Sequence, residues 1–585
     1  MSKRLLLLLL FLSVLMSGCG GGNGGGSTLY ASIMGYVAES GTLTRLNNVK
    51  VEIGGKITNT DENGFFRVDN LPAGVHRFSF SKTNYYTYSF SIQLPAGVWQ
   101  FNEDILIVKE GDLSDLGPAY IQDVTDGNNE IIINAQKKVS TVIAIAYNHS
   151  SSTINPTISI SDDSGSSLIA PLSGFANHPL TLQIEKNDLM ELLRKHEREV
   201  SQNLLSKGIK PGQSQKSLKN QTDFYLTNEK FWKYNFDSQD SFSNVSATLK
   251  YTGSNCLIYL DNSQSISQTH INELGALFDN QIYANETSYF CNVDMDVDGE
   301  QRIYILLSPL PGSILGYFTD INEWSDYQYS NEKEMIYVTT SNYYSNPSNW
   351  VNSTKGVIAH EFQHLINYTN KPQPNKMEIW LNEGLSMVAM DIALEGPNGH
   401  YRPTVDNWIK SYLSNTNRVS LCNWDDHYGG VYLFMRYFAD RFGVDKLKNL
   451  YSTTGSSQDM IMSSSGSELL FEEIFKDWLT TVILECLNIP ITDPQYDKYQ
   501  YKSALNLSES QFIGNFYLYP PGSYPVSDTA GIYVVKSNLE NATNITVEVN
   551  GSPDVKLRVI SVPKTGATLP FMSSVNSPPT ITKVR

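Results

Sequence analysis

The chain is poor in charge, in cysteine and in long apolar segments. Only 18% of its 585 residues are charged, and the acidic residues outnumber the basic ones enough to give a formal net charge of -17. This balance argues against nucleic acid or an anionic membrane surface as a direct partner, because an average surface of this sign repels phosphate. The hydrophobic fraction of 41% is sufficient for several packed cores and excludes a disordered chain.

Beyond residue 19 no apolar stretch is long enough to span a bilayer. The start, "MSKRLLLLLLFLSVLMSGC", has the basic opening, apolar run and small residues of an export signal. Its ending resembles the bacterial lipoprotein signal, in which the cysteine becomes the lipidated first residue; a plain secretory signal is the alternative. We predict a signal at 1–19, a lipid on Cys19 and a glycine-rich tether at 20–30. Gly20 is not the aspartate of inner-membrane retention, so we expect the outer membrane or cell surface.

Cysteine is scarce, with four residues besides Cys19 and no CxxC spacing. The absence of that spacing argues against a cysteine metal site or a redox motif. In an exported and oxidising setting, an even number of cysteines suggests two disulfides, for which three connectivities are possible. Modest loop lengths favour Cys256 with Cys291 and Cys422 with Cys486.

Short alternating apolar and polar runs, separated by turn residues, predict β-strands in three parts of the chain. In the first part, 31–108, the stretch "TNTDENGFFRVDNLPAGVHRFSF" resembles the carboxypeptidase regulatory-like domain, a transthyretin-like sandwich. This resemblance implies an accessory rather than a catalytic role. We expect a second β module at 115–186 and a C-terminal β-sandwich at 500–585. The predicted fold class is multidomain α+β, with a zincin-like domain of mixed sheet and helices at 222–490.

Residues 187–221 begin as an amphipathic helix and continue as a basic stretch rich in glycine, serine and glutamine. We interpret this segment as a linker with a solvated charged face. A propeptide that must be removed by cleavage is the alternative.

The segment "GVIAHEFQHLINY", residues 356–368, places two histidines four positions apart with a glutamate after the first. On a helix, His360 and His364 lie one turn apart on one face, so both imidazoles can reach one metal ion. A hydrolytic zinc site has three protein ligands and an open position for water, so these two histidines are one ligand short. A buried helix that binds no metal is the competing interpretation.

Glu383 is placed in a second helical pattern, "WLNEGLS", from which it can supply the third ligand. The spacing and this setting resemble the gluzincins, the group that includes thermolysin and the zinc aminopeptidases. The resemblance implies that His360, His364 and Glu383 bind Zn²⁺ and that Glu361 is the general base. A carboxylate beside the metal is suited to take a proton from the attacking water.

A hydrolytic site also needs a hydrogen-bond donor for the oxyanion that forms on the attacked carbonyl. The stretch "NWDDHYGGVYLF" passes from a polar turn into an apolar helix, with His427 and Tyr428 at the junction. In gluzincins the donor is a tyrosine or histidine after the third ligand, so the resemblance implies Tyr428, with His427 as the alternative. Both side chains could also serve packing alone. Asn382 and Glu378 are candidates to orient the metal ligands.

Across 222–490 the order of motifs is similar to the hyicolysin family of bacterial metallopeptidases. The motifs are "LKYTGSNCLIYLDN", "DMDVDGEQRIYILL", "GYFTD", HEFQH, "WLNEGLS", "YGGVYLF" and "FEEIFKDWLTTVIL". Members of that family are secreted or surface endopeptidases, which implies protein or peptide substrates, and no aminopeptidase GxMEN motif is present. We predict a lipid-anchored extracytoplasmic zinc metalloendopeptidase. The alternative is a surface binding or adhesion lipoprotein whose peptidase-like domain is inactive.

A second metal candidate is "DMDVDGEQRIYI", which carries Asp294, Asp296 and Asp298 before the turn residue Gly299. It opens like an EF-hand loop, but Ile305 stands where the bidentate glutamate belongs. Two interpretations stay open: a truncated loop that binds Ca²⁺ as a structural clip, and a tight hairpin turn.

Overall fold

The structure is a computed structural model of the chain. The described residues are 30–39, 44–83, 85–101, 104–107, 120–123, 130–135, 139–163, 188–212, 225–236, 241–293, 297–312, 314–325, 327–371, 376–424, 427–489, 499–513, 515–516, 518–539, 541–551, 554–563 and 581–583. The predicted signal at 1–19, the lipid site at Cys19 and all but the last residue of the predicted tether at 20–30 lie outside them. Among the described helices, none has the length and apolar character that a membrane crossing requires.

The fold is mixed α/β with several separate sheets, and the chain divides into two compact units. The first unit comprises Met1–Glu110 and Ser573–Arg585. Its strands are β1 (Tyr30–Glu39), β2 (Lys50–Ile53), β3 (Lys56–Asn59), β4 (Phe65–Pro72), β5 (Gly74–Lys82), β6 (Tyr85–Leu94), β7 (Gly97–Phe101), β8 (Ile105–Ile107) and β23 (Ile581–Lys583).

Two sheets share one apolar core in this first unit. One has the order β23-β7-β1-β4 with β8 also paired to β1, and the other has the order β3-β2-β5-β6. Burial alternates along β4, as expected for a strand with one face on a core and the other in solvent. The core contains Ile33, Val51, Phe66 and Phe78, which come from both sheets. The strand-like patterns of 31–108 thus form a two-sheet unit.

The second unit comprises Gly111–Met572. Its strands are β9 (Tyr120–Asp123), β10 (Glu130–Asn134), β11 (Val139–Asn148), β12 (Thr157–Asp162), β13 (Asn228–Tyr234), β14 (Phe242–Thr252), β15 (Cys256–Asp261), β16 (Ile303–Ser308), β17 (Gly316–Phe318), β18 (Met335–Thr339), β19 (Gly522–Ser523), β20 (Ala530–Ser537), β21 (Asn544–Asn550) and β22 (Val555–Pro563). Its helices are α1 (Asp188–Ser206), α2 (Gln268–Leu277), α3 (Tyr283–Tyr289), α4 (Pro347–Asn370), α5 (Ile379–Glu395), α6 (Arg402–Leu413), α7 (Tyr428–Phe442), α8 (Ser457–Ser465), α9 (Phe471–Cys486) and α10 (Ser510–Ile513).

The segments 115–186 and 500–585, predicted as separate modules, interleave in the structure. Their strands form two sheets, with orders β10-β21-β12-β19 and β20-β11-β22-β9, around a common apolar core. The last strand, β23, instead pairs with β7 of the first unit. The boundaries predicted for these two modules were therefore wrong. An alternating pattern identifies a strand but carries no information about which distant strand it pairs with.

Arg558 on β22 joins this pair of sheets to helix α9. Its side chain is buried, and its Nη1 donates to Asp477 Oδ1 at 2.8 Å and to Thr480 Oγ1 at 2.9 Å. Its Nε donates to Asp123 Oδ1 at 2.6 Å. The charge-assisted bonds to Asp477 and Thr480 hold α9 against β22, and the bond to Asp123 joins β22 to β9.

We expect Arg558→Met to lower the free energy of unfolding by about 3 kcal/mol, because it leaves buried acceptors without their cation. The loss should fall at the low end of the range for buried ion pairs, since Arg441 stays 2.9 Å from Asp477. Urea unfolding followed by tryptophan fluorescence measures the change. Lys230→Met, at an exposed position of β13, is the control and should be nearly neutral. A loss below about 1 kcal/mol for Arg558→Met would contradict this role.

The central sheet has the order β13-β14-β15-β16-β18-β17. Strands β15, β16 and β18 run parallel, whereas β17 is antiparallel to β18 at one edge. The three parallel strands are buried at every position, as is typical of strands covered on both faces. One face carries Ile305 and Ile336 in the same core as the residues of α4, and the other carries Tyr304 and Tyr337.

Helix α1 covers part of that second face, so the prediction of a solvated linker at 187–221 was wrong for 188–206. Leu193 is fully buried with Phe231 and Tyr317, and Val200 and Leu204 pack against Trp324. These apolar positions recur seven and four residues apart, which places them on one helical face. The amphipathic pattern predicted a helix here, and the structure has one. The pattern carries no information about which sheet face the helix packs against.

The two expected disulfides are not formed. Among the described residues, Cys256, Cys291, Cys422 and Cys486 form no disulfide bond. The Cys422 sulfur instead accepts from Gln458 Nε2 at 3.5 Å, and burial raises the pKa of its thiol to about 12. Burial likewise raises the pKa of Cys256 and Cys486. Loop length favoured these pairings, but the fold buries Cys256 and Cys486 and half-buries Cys291 and Cys422 without bonding them to one another.

Candidate metal centre

Helix α4 carries the HEFQH segment and begins at a well-formed cap. The side chain of Asn346 accepts a hydrogen bond from the Asn349 amide at 3.1 Å, and Pro347 occupies the first helical turn. One side of the helix is fully buried in the main core, through Ile358, Phe362, Leu365 and Ile366. His360 and His364 project from the other side, toward helix α5.

Three candidate ligand atoms converge between these two helices. His360 Nε2 lies 3.2 Å from His364 Nε2 and 3.2 Å from Glu383 Oε2. His364 Nε2 lies 3.5 Å from the same Glu383 oxygen. Among the described residues, no other group of three or more His, Cys, Asp or Glu side chains has its ligand atoms close enough together to hold one metal ion.

The spacing of these atoms fits a zinc ion. Tetrahedral coordination with bonds of about 2.0–2.1 Å separates any two ligand atoms by about 3.3 Å. The three observed separations, 3.2, 3.2 and 3.5 Å, bracket that value. Two imidazole nitrogens and one carboxylate oxygen also form a donor set that zinc accepts in hydrolytic sites. The residues could therefore hold zinc and leave a fourth position open.

The orientation of His364 is set by hydrogen bonds on its far nitrogen. Nδ1 lies 3.1 Å from Asn382 Oδ1 and 3.0 Å from Ser386 Oγ. Asn367 Nδ2 also donates to Asn382 Oδ1, which fixes the oxygen end of that amide toward the histidine. Because an amide oxygen only accepts, Nδ1 carries the proton and the lone pair of Nε2 faces the cluster. Sequence reasoning singled out Asn382 but missed Ser386.

Glu378, the other residue proposed to orient the ligands, lies at a different contact. Its Oε2 accepts from Trp380 Nε1 at 2.7 Å, at the start of α5. The structure therefore brings Asn382 to the cluster and uses Glu378 to hold an indole.

Two buried carboxylates at the centre have opposite electrostatic character. Burial acts to raise the pKa of Glu383, but the adjacent His364 and His360 outweigh it and hold that pKa well below its usual range. Glu383 is thus an anion, as a metal ligand must be. Burial raises the pKa of Glu361 to about 7, against the opposing effect of His360. The backbone amide of Phe318, at the end of strand β17, also acts to lower the pKa of the Glu361 carboxyl.

Close approach of backbones requires two glycines around the centre. A Cβ on Gly316 would lie 2.6 Å from Val357 Cγ1 and 3.0 Å from Glu361 Cγ, so glycine lets β17 approach α4. A Cβ on Gly384 would lie 2.6 Å from Met435 Cγ, so glycine lets α5 cross α7 closely. These contacts give a physical reason for the glycines of "GYFTD" and "WLNEGLS".

Tyr428 is the candidate oxyanion donor that lies against the cluster. It begins helix α7, and its ring centroid is 6.1 Å from that of His360. The Trp408 and Trp424 rings lie 4.8 and 5.0 Å from it and restrict its position. His427 precedes the helix, and burial lowers the pKa of its imidazole.

A small cleft of about 50 Å³ lies beside His364 and Glu383. Part of its wall comes from α1, through Arg194 and Glu197. Sequence reasoning missed both residues because it assigned this segment to a linker. The amphipathic stripe of α1 was the available signal that the helix packs onto the domain.

The second metal candidate is only partly described. Asp294 and Asp296 lie outside the described residues. Asp298 lies 3.2 Å from Lys333 Nζ and accepts from the Glu300 amide at 2.9 Å. A lysine thus occupies the position beside Asp298, and Ca²⁺ at this loop stays a prediction.

Comparison with known proteins gives no family assignment. No family model matches the chain. No curated protein matches it either. The similarity to the hyicolysin family and to the carboxypeptidase regulatory-like domain therefore stays a prediction.

Partial similarity to solved structures exists, at low scores. A type II cohesin–X-dockerin complex from Acetivibrio cellulolyticus is 23% identical, with 13% of this chain and 56% of that chain covered and a TM-score of 0.12. A streptococcal ancillary pilin is 17% identical, with coverages of 20% and 42% and a TM-score of 0.13. The major pilin subunit of Bacillus cereus is 12% identical, with coverages of 22% and 46% and a TM-score of 0.11. At these scores the similarities support no argument about function.

Proposed function

We propose that this protein is a zinc metallopeptidase that hydrolyses peptide bonds of protein substrates with its zincin-like domain. The observation that carries the proposal is the triangle of His360 Nε2, His364 Nε2 and Glu383 Oε2, whose sides match the edges of a tetrahedral zinc site. A buried helix without a metal role gives no reason for three ligand atoms to converge beside a cleft. When bound, zinc would supply a Lewis acid that activates water and polarises the scissile carbonyl.

Glu361 has the properties of the general base in this reaction. It follows His360 directly on α4, is buried, and has a pKa raised to about 7. A base with a pKa near the working pH can both accept and release a proton. Its carboxylate would take a proton from the attacking water and deliver it to the departing amine.

The Tyr428 hydroxyl would serve as the oxyanion donor. The ring lies on the His360 side of the cluster, and the tryptophans around it restrict its motion. A preorganised hydroxyl donates its hydrogen bond most strongly when negative charge develops on the carbonyl oxygen. Attachment to the cell envelope through Cys19 is a further part of the proposal and rests on the signal-like start of the sequence.

Removal and return of the metal tests this proposal. We expect the chain from residue 20 to bind one zinc per molecule and to cleave casein. Incubation with 1,10-phenanthroline should abolish cleavage, and added Zn²⁺ should restore it, because three protein ligands remain in place. Elemental analysis and a fluorescent casein assay are the measurements. Zinc without cleavage would favour the inactive surface-binding protein, and a zinc-free chain would refute the metal centre.

A further inference from the structure

The lining of the cleft beside the HEFQH helix includes a guanidinium held by three hydrogen bonds. Arg194 on α1 lines the same cavity as His364 and Glu383. Its Nη1 donates to Glu197 Oε1 at 2.8 Å, to Glu197 Oε2 at 3.1 Å and to the Phe318 carbonyl at 3.1 Å. Glu197 is itself buried, so the pair is sheltered from solvent. Arg194 is thus rigid without being fully enclosed.

The bonding of Arg194 leaves part of its guanidinium for a ligand. Among the described residues, every hydrogen bond of this side chain uses Nη1, and Nε and Nη2 engage no protein acceptor. The side chain keeps 18% of its surface exposed. Nε and Nη2 lie on one edge of the planar group and match the two oxygens of a carboxylate. The Nε and Nη2 edge of Arg194, held in place in the lining of the cleft, is therefore suited to bind an anion.

The charges around the cleft favour the same sign of ligand. Lys371 and Lys376 line it together with Arg194. Of the carboxylates there, Glu197 is engaged by Arg194 and Glu383 by the two imidazoles. Burial raises the pKa of Asp320, the remaining one, to about 7, so it loses charge near neutrality. A bound zinc would add positive charge, which would further favour an anionic ligand although the chain as a whole carries a net charge of -17.

We propose that Arg194 is a positioning residue that binds a carboxylate of the substrate, either an acidic side chain next to the scissile bond or the terminal carboxylate of a short peptide. This inference rests on the proposed function and assigns its substrate preference. Removing one charged hydrogen-bond partner typically changes affinity by about tenfold to a hundredfold. The contact between Arg194 and the carboxylate forms on binding and persists through the reaction. Its loss should therefore mainly raise KM and change kcat little.

Matched peptides test the proposal. Each peptide carries one Glu, Gln or Lys at one of the three positions on either side of the scissile bond. Each peptide is made both with a blocked and with a free carboxyl end. We expect the wild-type chain to favour Glu, or a free carboxyl end, by tenfold or more in kcat/KM. Arg194→Met should abolish that preference through KM. Arg194→Lys keeps the positive charge but lacks the paired N–H donors of the guanidinium, so it should retain part of the preference.

A binding measurement separates this inference from the proposed function. Labelled Glu and Gln peptides are titrated against Glu361→Gln and against Glu361→Gln with Arg194→Met, and fluorescence anisotropy gives Kd. Lys195→Met is the control, because Lys195 is an exposed cation on the same helix. Zinc content and Tm establish that each variant is folded.

Tighter binding of the Glu peptide that disappears with Arg194→Met, but not with Lys195→Met, supports the proposal even if no peptide is cleaved. Equal binding of the two peptides, or a preference that survives Arg194→Met, overturns it even if the enzyme is active. If Arg194→Met does not fold, Arg194→Lys decides the question: a weaker preference for the Glu peptide than in the parent supports the proposal, and an unchanged preference overturns it.

Discussion

Glu361→Gln should lower kcat/KM for casein by a factor of about 10² to 10⁴, the usual contribution of a general base, while one zinc per chain is retained. The substitution keeps the size of the side chain and its contact with the Phe318 amide, but the amide group cannot accept a proton. The ligands His360, His364 and Glu383 are unchanged. Loss of activity at constant zinc content would therefore locate the effect in proton transfer.

The pH profile provides a second readout of the same residue. Glu361 acts as a base only when deprotonated, so activity falls as the pH drops through its pKa. That pKa is raised to about 7 without metal, and the charge of zinc beside it lowers the value, so we expect the acidic limb below pH 7. Glu361→Asp shortens the side chain but keeps the base, so it should retain the limb with reduced activity. Full activity of Glu361→Gln would remove Glu361 from the mechanism.

Glu383→Ala should abolish both zinc binding and cleavage. The substitution removes the anionic ligand, and the two remaining imidazoles do not complete a hydrolytic zinc site. We expect the zinc affinity to fall by more than the roughly 10- to 100-fold that follows loss of an outer hydrogen-bond partner. Competition with a chromophoric chelator measures the affinity, and elemental analysis measures the stoichiometry.

Asn382→Ala is the matched comparison for Glu383→Ala. It is the neighbouring position of α5 and removes the acceptor on His364 Nδ1, but leaves all three ligands. We expect its zinc affinity to fall by about 10- to 100-fold, with one zinc still bound when the metal is in excess. Similar affinities for Glu383→Ala and the wild type would show that Glu383 is not a ligand.

The periodicity of the sequence was sufficient for the local parts of the site. Helical spacing places His360 and His364 on one face of α4, and the apolar positions Ile358 and Phe362 on the other. Glu383 required the resemblance to a known motif, because a single carboxylate in a helical pattern does not indicate which helix it faces. Ser386 and Arg194 were not identified, since their roles depend on which helices cross and how closely.

Local sequence patterns were sufficient to predict most strands and helices and the placement of His360 and His364 on one helical face, and composition gave the acidic, moderately hydrophobic character of the chain. These features depend on residues close together in sequence, where backbone geometry dictates which side chains share a face. Long-range packing is what places segments 115–186 and 500–585 in two shared sheets, keeps the four described cysteines from forming a disulfide, and makes α1 part of the cleft lining. Such contacts join residues far apart in the chain, and packing of whole surfaces selects them rather than any local pattern.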